Sequence, residues 1–453
     1  MSDDTPNKKR VAIVGAGPVG VLAAIYFAQR AWDVSLFDLR PDMRLPENKA
    51  RNQGRSINLA LSTRGISALH GTGLSLDEEI LKCAVPMKGR MIHLGKEGKL
   101  QSQPYGVRDE HINAVDRTKL NEDLLEAAEK FSNVKIYFDH TFKKADLDAG
   151  TVEFESRNGE SVVFEVDFII GADGAYSSVR YQLMHDFPIH KGFSDSHFLL
   201  GVLRMDYHQE YIDTAYCELT IPPKIDTDGD LEYAMDSNHL HIWPRKSFML
   251  IALPNPCNPY HYKDRALIIG DAAHAMVPFY GQGMNCGFED VQVLADILDE
   301  HKITNTLPHH HPEDSKGPQE LSPLEIALEK YTKLRHADVV AMCDLALYNH
   351  YEMRSAVTSR TYLVRKYLEV KLHLLFPTQV IPLYTMISFS RIRYSEAVVR
   401  WQAQTWWLNA FGWSTASGTM LMGLMLGLRY GKDMMQTVTH AARTIGDTYM
   451  KGA

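Results

Sequence analysis

The feature that most constrains the fold of this 453-residue chain is a glycine-rich turn near its start. The turn, Gly15-Ala16-Gly17-Pro18-Val19-Gly20, follows a short β-branched run at residues 11–14 and opens an alanine-rich helical pattern. A second apolar run at residues 34–37 ends at Asp38. A GxGxxG turn inside a complete strand–helix–strand unit predicts a Rossmann-like dinucleotide-binding fold.

Each glycine of this turn has a separate task in binding a dinucleotide. Gly15 permits the tight turn, Gly17 lets the backbone approach a pyrophosphate, and Gly20 lets the helix pack closely on the strand. The helix that begins beside Val19 offers free N–H groups and a positive dipole end to the phosphates. Asp38 is placed to bind a ribose 2′-hydroxyl and to repel a 2′-phosphate, which favours FAD or NAD over NADP.

Two later turns decide between FAD and NAD. Asp173-Gly174 and Gly270-Asp271 each follow a short apolar run that predicts a buried strand. These segments resemble the DG and GD motifs of the flavin-dependent aromatic hydroxylases. The resemblance implies that Gly270-Asp271 holds the ribityl hydroxyls of FAD, and that Asp173-Gly174 serves the flavin and a transiently bound NADPH.

A third glycine-rich segment, residues 281–285, precedes a predicted helix. A helix that starts with Gly283, Met284 and Asn285 would present N–H donors to the edge of the flavin ring that becomes negative on reduction. His274, which follows the GD motif, is interpreted as a buried structural histidine. Oxygen insertion by a flavin needs no protein nucleophile, so no catalytic side chain is expected.

Five stretches together resemble the kynurenine 3-monooxygenase family, and the resemblance covers most of residues 10–400. The stretches are residues 54–62, 87–93, 240–245, 277–285 and 381–386. The resemblance implies an α/β, FAD-binding Rossmann-like fold of the p-hydroxybenzoate hydroxylase type, with a mixed-sheet substrate domain and a helical C-terminal region. The predicted FAD-binding domain comprises residues 10–60, 106–185 and 263–302, the substrate domain residues 61–105 and 186–262, and the helical region residues 323–400.

The resemblance also implies a role for individual residues. Arg90 matches the arginine that clamps the substrate carboxylate, a task that suits a bidentate guanidinium fork. Tyr105 matches a tyrosine on the same carboxylate, and Asn349 and Tyr384 match polar groups at the amino-acid end. Further FAD contacts are implied for Val19, Arg40, Ala60, Arg117, Met284 and Asn285. Without the resemblance, Arg90 is more often a solvated or salt-bridged arginine, Tyr105 is equally an ordinary turn tyrosine, and an exposed helix amide is the default for Asn349.

The implied reaction is the hydroxylation of L-kynurenine to 3-hydroxykynurenine, a step of tryptophan degradation and NAD synthesis. NADPH would reduce the flavin and O2 would supply the oxygen atom. The position that is hydroxylated lies ortho to the aniline amine, which activates it. The sequence contains no second Rossmann unit, so NADPH is expected to bind transiently on the same fold.

The sequence departs from the family pattern at two places. Between Pro254 and Tyr262 the chain is several tens of residues shorter, which removes part of the substrate domain near residues 255–262, whereas residues 190–203 resemble an insertion. Three functions therefore stay open at this point. They are an active kynurenine hydroxylase, another aromatic hydroxylase or epoxidase of the same fold, and an inactive FAD-binding membrane protein.

Composition excludes several other classes. A net charge of −8 argues against a nucleic-acid partner, which would favour a basic surface. Five scattered cysteines without a CxxC pair favour a reducing compartment over a disulfide framework or a zinc site. The adjacent histidines at 309–311 lack acidic or cysteine partners at a spacing that suits metal binding. We therefore predict that residues 302–322 form a loop and no metal site.

The C-terminal segment has a different character. Residues 401–428 contain no Asp, Glu, Lys or Arg, and residues 406–428 are long enough to cross about 30 Å of hydrocarbon. This pattern predicts a membrane-associated tail at residues 401–453, with a buried amphipathic helix as the alternative. The family resemblance implies the mitochondrial outer membrane, with the catalytic domain facing the cytosol.

Overall fold

The structure of the protein is a computed structural model. It describes residues 8–52, 59–94, 99–186, 206–207, 224–225, 231–232, 235–242, 257–258, 260–305 and 321–410, and the single positions 414, 421, 422 and 425. The chain divides into two compact units, Met1–Ala397 and Val398–Ala453.

The strands β1 to β19 and the helices α1 to α11 belong to the first unit. In chain order the strands are β1 (Arg10–Val14), β2 (Asp33–Phe37), β3 (Leu59–Leu61), β4 (Val85–Met87), β5 (Gly89–Leu94), β6 (Lys99–Pro104), β7 (Ile112–Val115), β8 (Val134–Tyr137), β9 (His140–Asp146), β10 (Thr151–Ser156), β11 (Ser161–Glu165), β12 (Phe168–Gly171), β13 (Asp206–Tyr207), β14 (Lys224–Ile225), β15 (Leu231–Glu232), β16 (His239–Ile242), β17 (Cys257–Asn258), β18 (His261–Tyr262) and β19 (Ala266–Ile268). The helices are α1 (Pro18–Gln29), α2 (Pro46–Asn52), α3 (Thr63–His70), α4 (Leu76–Lys82), α5 (Arg117–Glu129), α6 (Ser178–Asp186), α7 (Asp271–His274), α8 (Gly283–Glu300), α9 (Pro323–Arg354), α10 (Arg360–Leu375) and α11 (Leu383–Ser388). In the first unit residues 394–397 are also helical, and in the second unit residues 398–410 are helical.

Six strands form the central sheet, in the order β18-β19-β12-β1-β2-β8. Neighbouring strands are parallel except β18, which pairs antiparallel with β19 at the edge. The strands at the centre, β1 and β12, are almost wholly buried, as expected of a parallel sheet that is covered on both faces. The strand–helix–strand unit predicted from the glycine-rich turn is confirmed as β1, α1 and β2.

Helix α1 is buried around nearly its whole circumference. The nine residues from Gly20 to Ala28 are all buried, because α1 packs on β1 and β2 and is contacted by α5 and α8. A helix that faces protein on every side is apolar all round and lacks the polar stripe of a surface helix. The alanine-rich pattern in the sequence therefore reflects a central position in the fold.

An antiparallel sheet of β11, β10 and β9 lies against the central sheet through aromatic side chains. The ring of Phe154 on β10 stacks on Phe37 at the end of β2, with 3.8 Å between the ring centroids. Phe164 contacts Phe37 edge-on at 4.8 Å. This cluster fixes the end of β2, and Asp38 is the next residue.

Two smaller sheets lie on the substrate side. In one, β5 pairs parallel with β16 and antiparallel with β6, so the sheet is mixed, as the sequence predicted. In the other, β7 pairs with β3 and β4, which joins residues from both predicted domains. The exact division into an FAD-binding and a substrate domain stays a prediction. The predicted insertion lies wholly outside the described residues, as do positions 255, 256 and 259 of the predicted shortening and residues 306–320 with the three adjacent histidines.

The second unit is described mainly through residues 398–410, which are helical. Trp406 and Trp407 are both exposed on this helix, and their rings meet edge to face. In the part of the chain that the structure describes, no helix is both long enough and apolar enough to cross a membrane. Most of residues 411–453, on which the prediction of a membrane segment depends, lie outside the described residues.

The aromatic contact between the two sheets predicts a large loss of stability on truncation. Phe154 is fully buried, so Phe154→Ala should lower the free energy of unfolding by about 3–5 kcal/mol. Val163→Ala on the adjacent strand β11 is the matched control, because 59% of Val163 is exposed and its loss should cost about 0.5 kcal/mol or less. Urea denaturation followed by circular dichroism measures both values, and equal losses for the two variants would refute the packing role of Phe154.

Candidate active site

The glycine-rich turn brings the start of α1 against the neighbouring strand end. Gly15 has φ +107° and donates its N–H to the carbonyl oxygen of Phe37 at 2.7 Å. A Cβ atom on Gly15 would lie 2.3 Å from the carbonyl oxygen of Ala172, and one on Gly20 would lie 1.9 Å from that of Gly15. A Cβ atom on Gly17 would meet no protein atom within 4 Å. Gly15 and Gly20 are therefore required by the fold, whereas Gly17 faces space that a ligand can use.

The start of α1 is suited to an anion. Gly17 is the N-cap residue and supplies no side-chain hydrogen bond to the helix, and Pro18 at the first position has no N–H to satisfy. The N–H groups of Val19 and Gly20 have no acceptor inside the helix. These free donors and the positive end of the helix dipole fit a pyrophosphate.

Asp38 is held at the end of β2 by four donors. Its Oδ2 accepts hydrogen bonds from the Ala16 N–H at 2.9 Å and from Arg40 Nη2 at 2.8 Å. Its Oδ1 accepts from the Arg40 backbone N–H at 2.8 Å and from Arg40 Nε at 2.9 Å. Asp38 is buried, but the Arg40 side chain is 58% exposed and can move to give a ribose access to the carboxylate.

The DG turn ends β12 and begins α6. Asp173 Oδ2 accepts hydrogen bonds from the backbone N–H groups of Ser178 at 2.7 Å and Val179 at 3.3 Å. Its Oδ1 is buried and has no hydrogen-bond partner. Burial raises the pKa of Asp173. Because an unpaired buried oxygen is costly, this atom fits a hydroxyl or amide donor of a ligand.

Arg180 ties the DG turn to the GD turn. Its Nη1 donates to the Ala272 carbonyl at 2.8 Å, and its Nη2 donates to the Ala175 carbonyl at 2.7 Å. The Arg180 side chain is almost fully buried, so both turns are held by one rigid fork. The sequence analysis assigned no role to Arg180.

The GD turn lies next to the start of α1. Gly270 has φ +57° and ψ −143°, a conformation that is essentially restricted to glycine. A Cβ atom on Gly270 or on Gly287 would lie within 3.2 Å of the Val19 side chain, so Val19 fills the space between the two segments. Asp271 itself is exposed beside Arg117. The protein around the Asp271 carboxylate removes part of its hydration, and this desolvation raises the pKa of Asp271 although its side chain reaches solvent. The charges of His274 and Arg117 oppose the rise.

The third glycine-rich segment places Asn285 and the start of α8. Asn285 Nδ2 donates to the carbonyl oxygens of Ala60 at 2.6 Å and Gly281 at 2.9 Å, and its Oδ1 accepts from the Ser62 N–H at 2.9 Å. The Asn285 side chain is thus committed to holding β3 beside α8, and only its backbone is free for a cofactor. Gln282 gives α8 no side-chain cap, so the N–H groups of Gly283, Met284 and Asn285 fit a ring carbonyl or a developing negative charge.

The four predicted substrate residues come together in one buried cluster. Arg90 on β5 is almost fully buried and donates from Nη2 to Asn349 Oδ1 on α9 at 3.1 Å. The Arg90 guanidinium lies 5.7 Å from the ring of Tyr105 and 5.2 Å from the ring of Tyr384. Asn349 is also buried, so it is not the exposed amide that a helix position alone would suggest.

Two donors in this cluster have no acceptor. The Arg90 Nε group and the Tyr105 hydroxyl are buried without a hydrogen-bond partner among the described residues. Burial raises the pKa of Tyr105, and also that of Tyr384, so both hydroxyls stay protonated at neutral pH. A buried cation with spare donors beside a protonated phenol fits a carboxylate ligand.

Stacked tyrosine rings connect the substrate cluster (Arg90, Tyr105, Asn349 and Tyr384) with the flavin segment, which is residues 281–285 before and at the start of α8. Tyr384 stacks on Tyr105, with 4.8 Å between ring centroids, and on Tyr280 at 5.4 Å. Asn349 Nδ2 donates to the Phe279 carbonyl at 3.0 Å. Tyr280 and Phe279 belong to the 3₁₀ turn Pro278–Tyr280, which leads directly into the glycine-rich start of α8.

Sequence reasoning missed three residues of the cluster, which are Glu352, Tyr362 and Lys366. Glu352 Oε1 accepts from Arg90 Nη1 at 3.1 Å and from the Tyr362 hydroxyl at 2.8 Å, so Arg90 is also salt-bridged. Burial and the charge of Arg90 lower the pKa of the nearby Lys366 to about 8. Glu352 follows Asn349 by three positions on a helix and therefore shares its face, which is the signal that could have found it.

A separate buried cluster lies behind the GD turn. His274, Cys286 and Asp290 bring their potential ligand atoms within 4.8 Å of one another. Arg335 donates to both Asp290 and Cys286, so a fixed positive charge already occupies the place that a metal ion would need. Burial acts to raise the pKa of Asp290, but His274 and Arg335 outweigh it and lower that pKa to about 2. This geometry supports the structural interpretation of His274.

The comparisons with known proteins agree with this site. Residues 8–220 and 252–303, more than half of the chain, match a family described as FAD binding domain. The fold resembles p-nitrophenol 4-monooxygenase from Pseudomonas putida DLL-E4 with a TM-score of 0.52 at 16% identity, over 88% of this chain and 98% of that one. Fold, turns and match define an FAD-dependent monooxygenase of the p-hydroxybenzoate hydroxylase type.

Two relatives identify the family within this class. The chain is 38% identical to kynurenine 3-monooxygenase of Drosophila willistoni, over 91% of this chain and 94% of the relative. It is 37% identical to kynurenine 3-monooxygenase of Candida albicans, over 94% and 98% respectively. The chain belongs to the kynurenine 3-monooxygenase family, and its cofactor is FAD.

The chain is nevertheless shorter than its relatives inside the aligned region. The alignment with the Drosophila willistoni enzyme runs over 475 positions, but 91% of 453 residues fills only about 412 of them. Some 60 positions of the relative therefore face no residue of this chain. That they fall in the substrate domain near residues 255–262 stays a prediction.

Replacement by alanine should have different effects at Gly17 and at Gly20 of the first turn. Gly17→Ala adds a methyl group into free space, so the fold should persist while FAD affinity falls about tenfold or more as the backbone is kept from the pyrophosphate. Gly20→Ala forces a methyl group into the Gly15 carbonyl, so it should destabilise the protein itself. Thermal unfolding of the FAD-free protein and titration with FAD separate the effects, and unchanged FAD affinity in Gly17→Ala would contradict the assignment.

Proposed function

We propose that this chain hydroxylates L-kynurenine at the 3-position, using FAD, NADPH and O2. The observation that carries the proposal is the buried cluster of Arg90, Tyr105, Asn349 and Tyr384, which is joined to the flavin segment through the Pro278–Tyr280 turn. Membership of the kynurenine 3-monooxygenase family supports the same substrate.

The protein's part in the reaction is to bind and orient the substrate. Arg90 and the Tyr105 hydroxyl offer the donors for the α-carboxylate, and the Arg90 fork fixes its plane. Glu352 provides the negative charge that suits the α-ammonium group, and the Asn349 amide, which also accepts from Arg90, is a further polar contact. An amino-acid substrate thus satisfies both signs of charge in one site.

The rest of the chemistry belongs to the cofactor. Bound FAD supplies oxygen transfer, with electrons from NADPH and the oxygen atom from O2. Around it the protein offers the uncapped start of α8, the free oxygen of Asp173 and the open turn at Gly17. The stacked rings of Tyr105, Tyr384 and Tyr280 exclude water from the adjoining substrate site, which limits side reactions.

The other two candidate functions receive less support. A hydrocarbon substrate would offer no polar group to the Arg90–Glu352 ion pair, and the spare donors of the cluster would stay unpaired. An inactive FAD-binding protein would need no assembled substrate cluster. Because the substrate domain is predicted to be shortened, the inactive alternative is tested together with the Arg90→Lys variant.

The carboxylate clamp predicts a specific kinetic defect. Arg90→Lys keeps the charge but loses the fork, so KM for L-kynurenine should rise about tenfold or more while bound FAD stays unchanged. Kynurenine-dependent NADPH oxidation and the yield of 3-hydroxykynurenine measure this on the full chain in detergent. Decarboxylated kynurenine is the matched control, because its KM should be nearly the same for the wild type and the variant.

Three outcomes would contradict this assignment. No kynurenine-dependent NADPH oxidation by wild-type protein that holds FAD would favour the inactive alternative. Turnover of a different aromatic substrate with kynurenine inert would favour another hydroxylase. An equal KM for L-kynurenine in wild type and Arg90→Lys would remove Arg90 from the clamp.

We also propose that the chain is attached to the mitochondrial outer membrane through residues 401–453, with its catalytic part facing the cytosol. The uncharged stretch at residues 401–428 supports attachment, as do the exposed Trp406 and Trp407 at its beginning. The location and orientation follow from the family resemblance.

The attachment predicts the effect of charges placed in the tail. The pair Leu421→Arg and Met425→Arg should release the protein from membranes, since each arginine costs about 2.5–3.5 kcal/mol in hydrocarbon. Gly431→Arg, beyond the uncharged stretch, is the matched control and should stay bound. Alkaline extraction of mitochondria measures attachment, and retention of the double variant in the membrane would refute attachment through this tail. Protease digestion of intact mitochondria measures orientation, and protection of the catalytic part would refute its exposure to the cytosol.

A further inference from the structure

We propose that Asp290 is a positioning residue that holds the Gly270-Asp271 turn in the conformation that FAD requires. Asp290 lies on α8, 20 positions after Gly270, and its side chain is fully buried. It has no place in the clamp or among the predicted FAD contacts. Its role follows from the atoms that its two carboxylate oxygens contact.

One oxygen of Asp290 serves the turn. Oδ2 accepts a hydrogen bond from the Gly270 N–H at 3.0 Å and a second one from His274 Nε2. Gly270 begins α7 and His274 ends it, so a single oxygen fixes both ends of this four-residue helix. Asp271, which the family resemblance places on the ribityl chain, lies between the two fixed points.

The turn depends on such a bond because its first residue is a glycine, whose backbone is free to adopt many conformations. Gly270 has φ +57° and ψ −143°, which only glycine adopts readily and which the surrounding structure must hold in place. Val19 packs against one side of Gly270, and the Asp290 carboxylate holds its N–H. A charged acceptor makes a stronger bond to a backbone N–H than a neutral one does.

The second oxygen of Asp290 is itself fixed. Oδ1 accepts from Arg335 Nε at 2.8 Å, and Arg335 also donates from Nη1 to Glu289 at 2.9 Å. Glu289 in turn pairs with Arg64, whose guanidinium donates to the carbonyl oxygens of Ile387 and Ile392. The chain of buried charges therefore links the GD turn with α11, the helix that carries Tyr384 of the substrate cluster.

The test compares two equivalent Asp→Asn substitutions on the same arginine. Asp290→Asn keeps the shape of the side chain but turns one oxygen into an NH₂ group, which faces the donors of His274, Gly270 or Arg335. Asp338→Asn is the matched control, because Asp338 is equally buried and contacts Arg335, but its hydrogen bonds go to Ser395 and Arg393. Both variants lose one buried charge.

The readouts are FAD affinity and backbone protection. Asp290→Asn should raise the Kd for FAD roughly tenfold or more, and in FAD-free protein it should speed hydrogen exchange at residues 270–274. Asp338→Asn should leave both quantities within about twofold of wild type, even if it lowers the melting temperature. A purely structural role would lower both melting temperatures and move neither readout selectively.

The proposal fails if both variants bind FAD equally well, or if exchange at residues 270–274 is unchanged in Asp290→Asn. Should Asp290→Asn not fold, Arg335→Lys replaces it, since a lysine keeps the charge but cannot donate to Asp290 and Glu289 with the same fork. Arg335→Lys should raise the Kd for FAD in the same direction. A wild-type Kd in Arg335→Lys would then overturn the proposal.

Discussion

The architecture of this protein depends on the backbone contact between the Gly15 turn and the end of β12. Because neither Gly15 nor Gly20 has a side chain, the start of α1 approaches Ala172 more closely than any Cβ atom would allow. The approach brings the first turn beside the DG turn, and Val19 then fills the space against Gly270 and Gly287. Three segments that are far apart in the sequence thus surround one helix start, which is the arrangement that an extended dinucleotide needs.

The substrate side is organised by a different constraint, the burial of a charge. Arg90 is removed from water on β5, so it must be neutralised by groups from another element, and α9 supplies Glu352 and Asn349. The same helix contacts the turn before α8 through the Asn349 amide. The predicted substrate cluster and the predicted flavin-binding start of α8 are therefore both connected to the Pro278–Tyr280 turn.

Sequence reasoning reached those parts of the site that are local or that carry a family pattern. The strand–helix–strand unit with Asp38 follows from spacing alone, and the structure confirms it as β1, α1 and β2. Arg90, Tyr105, Asn349 and Tyr384 came from the family resemblance, and the structure brings them together. Arg180 and Asp290 each join segments that are distant in the sequence, so their local sequence does not mark them, whereas Glu352 is marked only by its position three residues after Asn349. The hydrogen bonds of the Asn285 side chain to protein backbone were not part of the sequence prediction.

The salt bridge between Arg90 and Glu352 has a consequence for selectivity. In the protein alone, Glu352 already serves as counter-ion to Arg90, so an incoming carboxylate has to share the guanidinium with it. A simple aromatic acid would place two anions on one buried cation, which a low-dielectric site penalises strongly. A zwitterion brings its own positive charge for Glu352 and leaves the site neutral. The proposed clamp therefore predicts selection by charge balance, against acids that match the ring and the carboxylate of L-kynurenine but lack the amine.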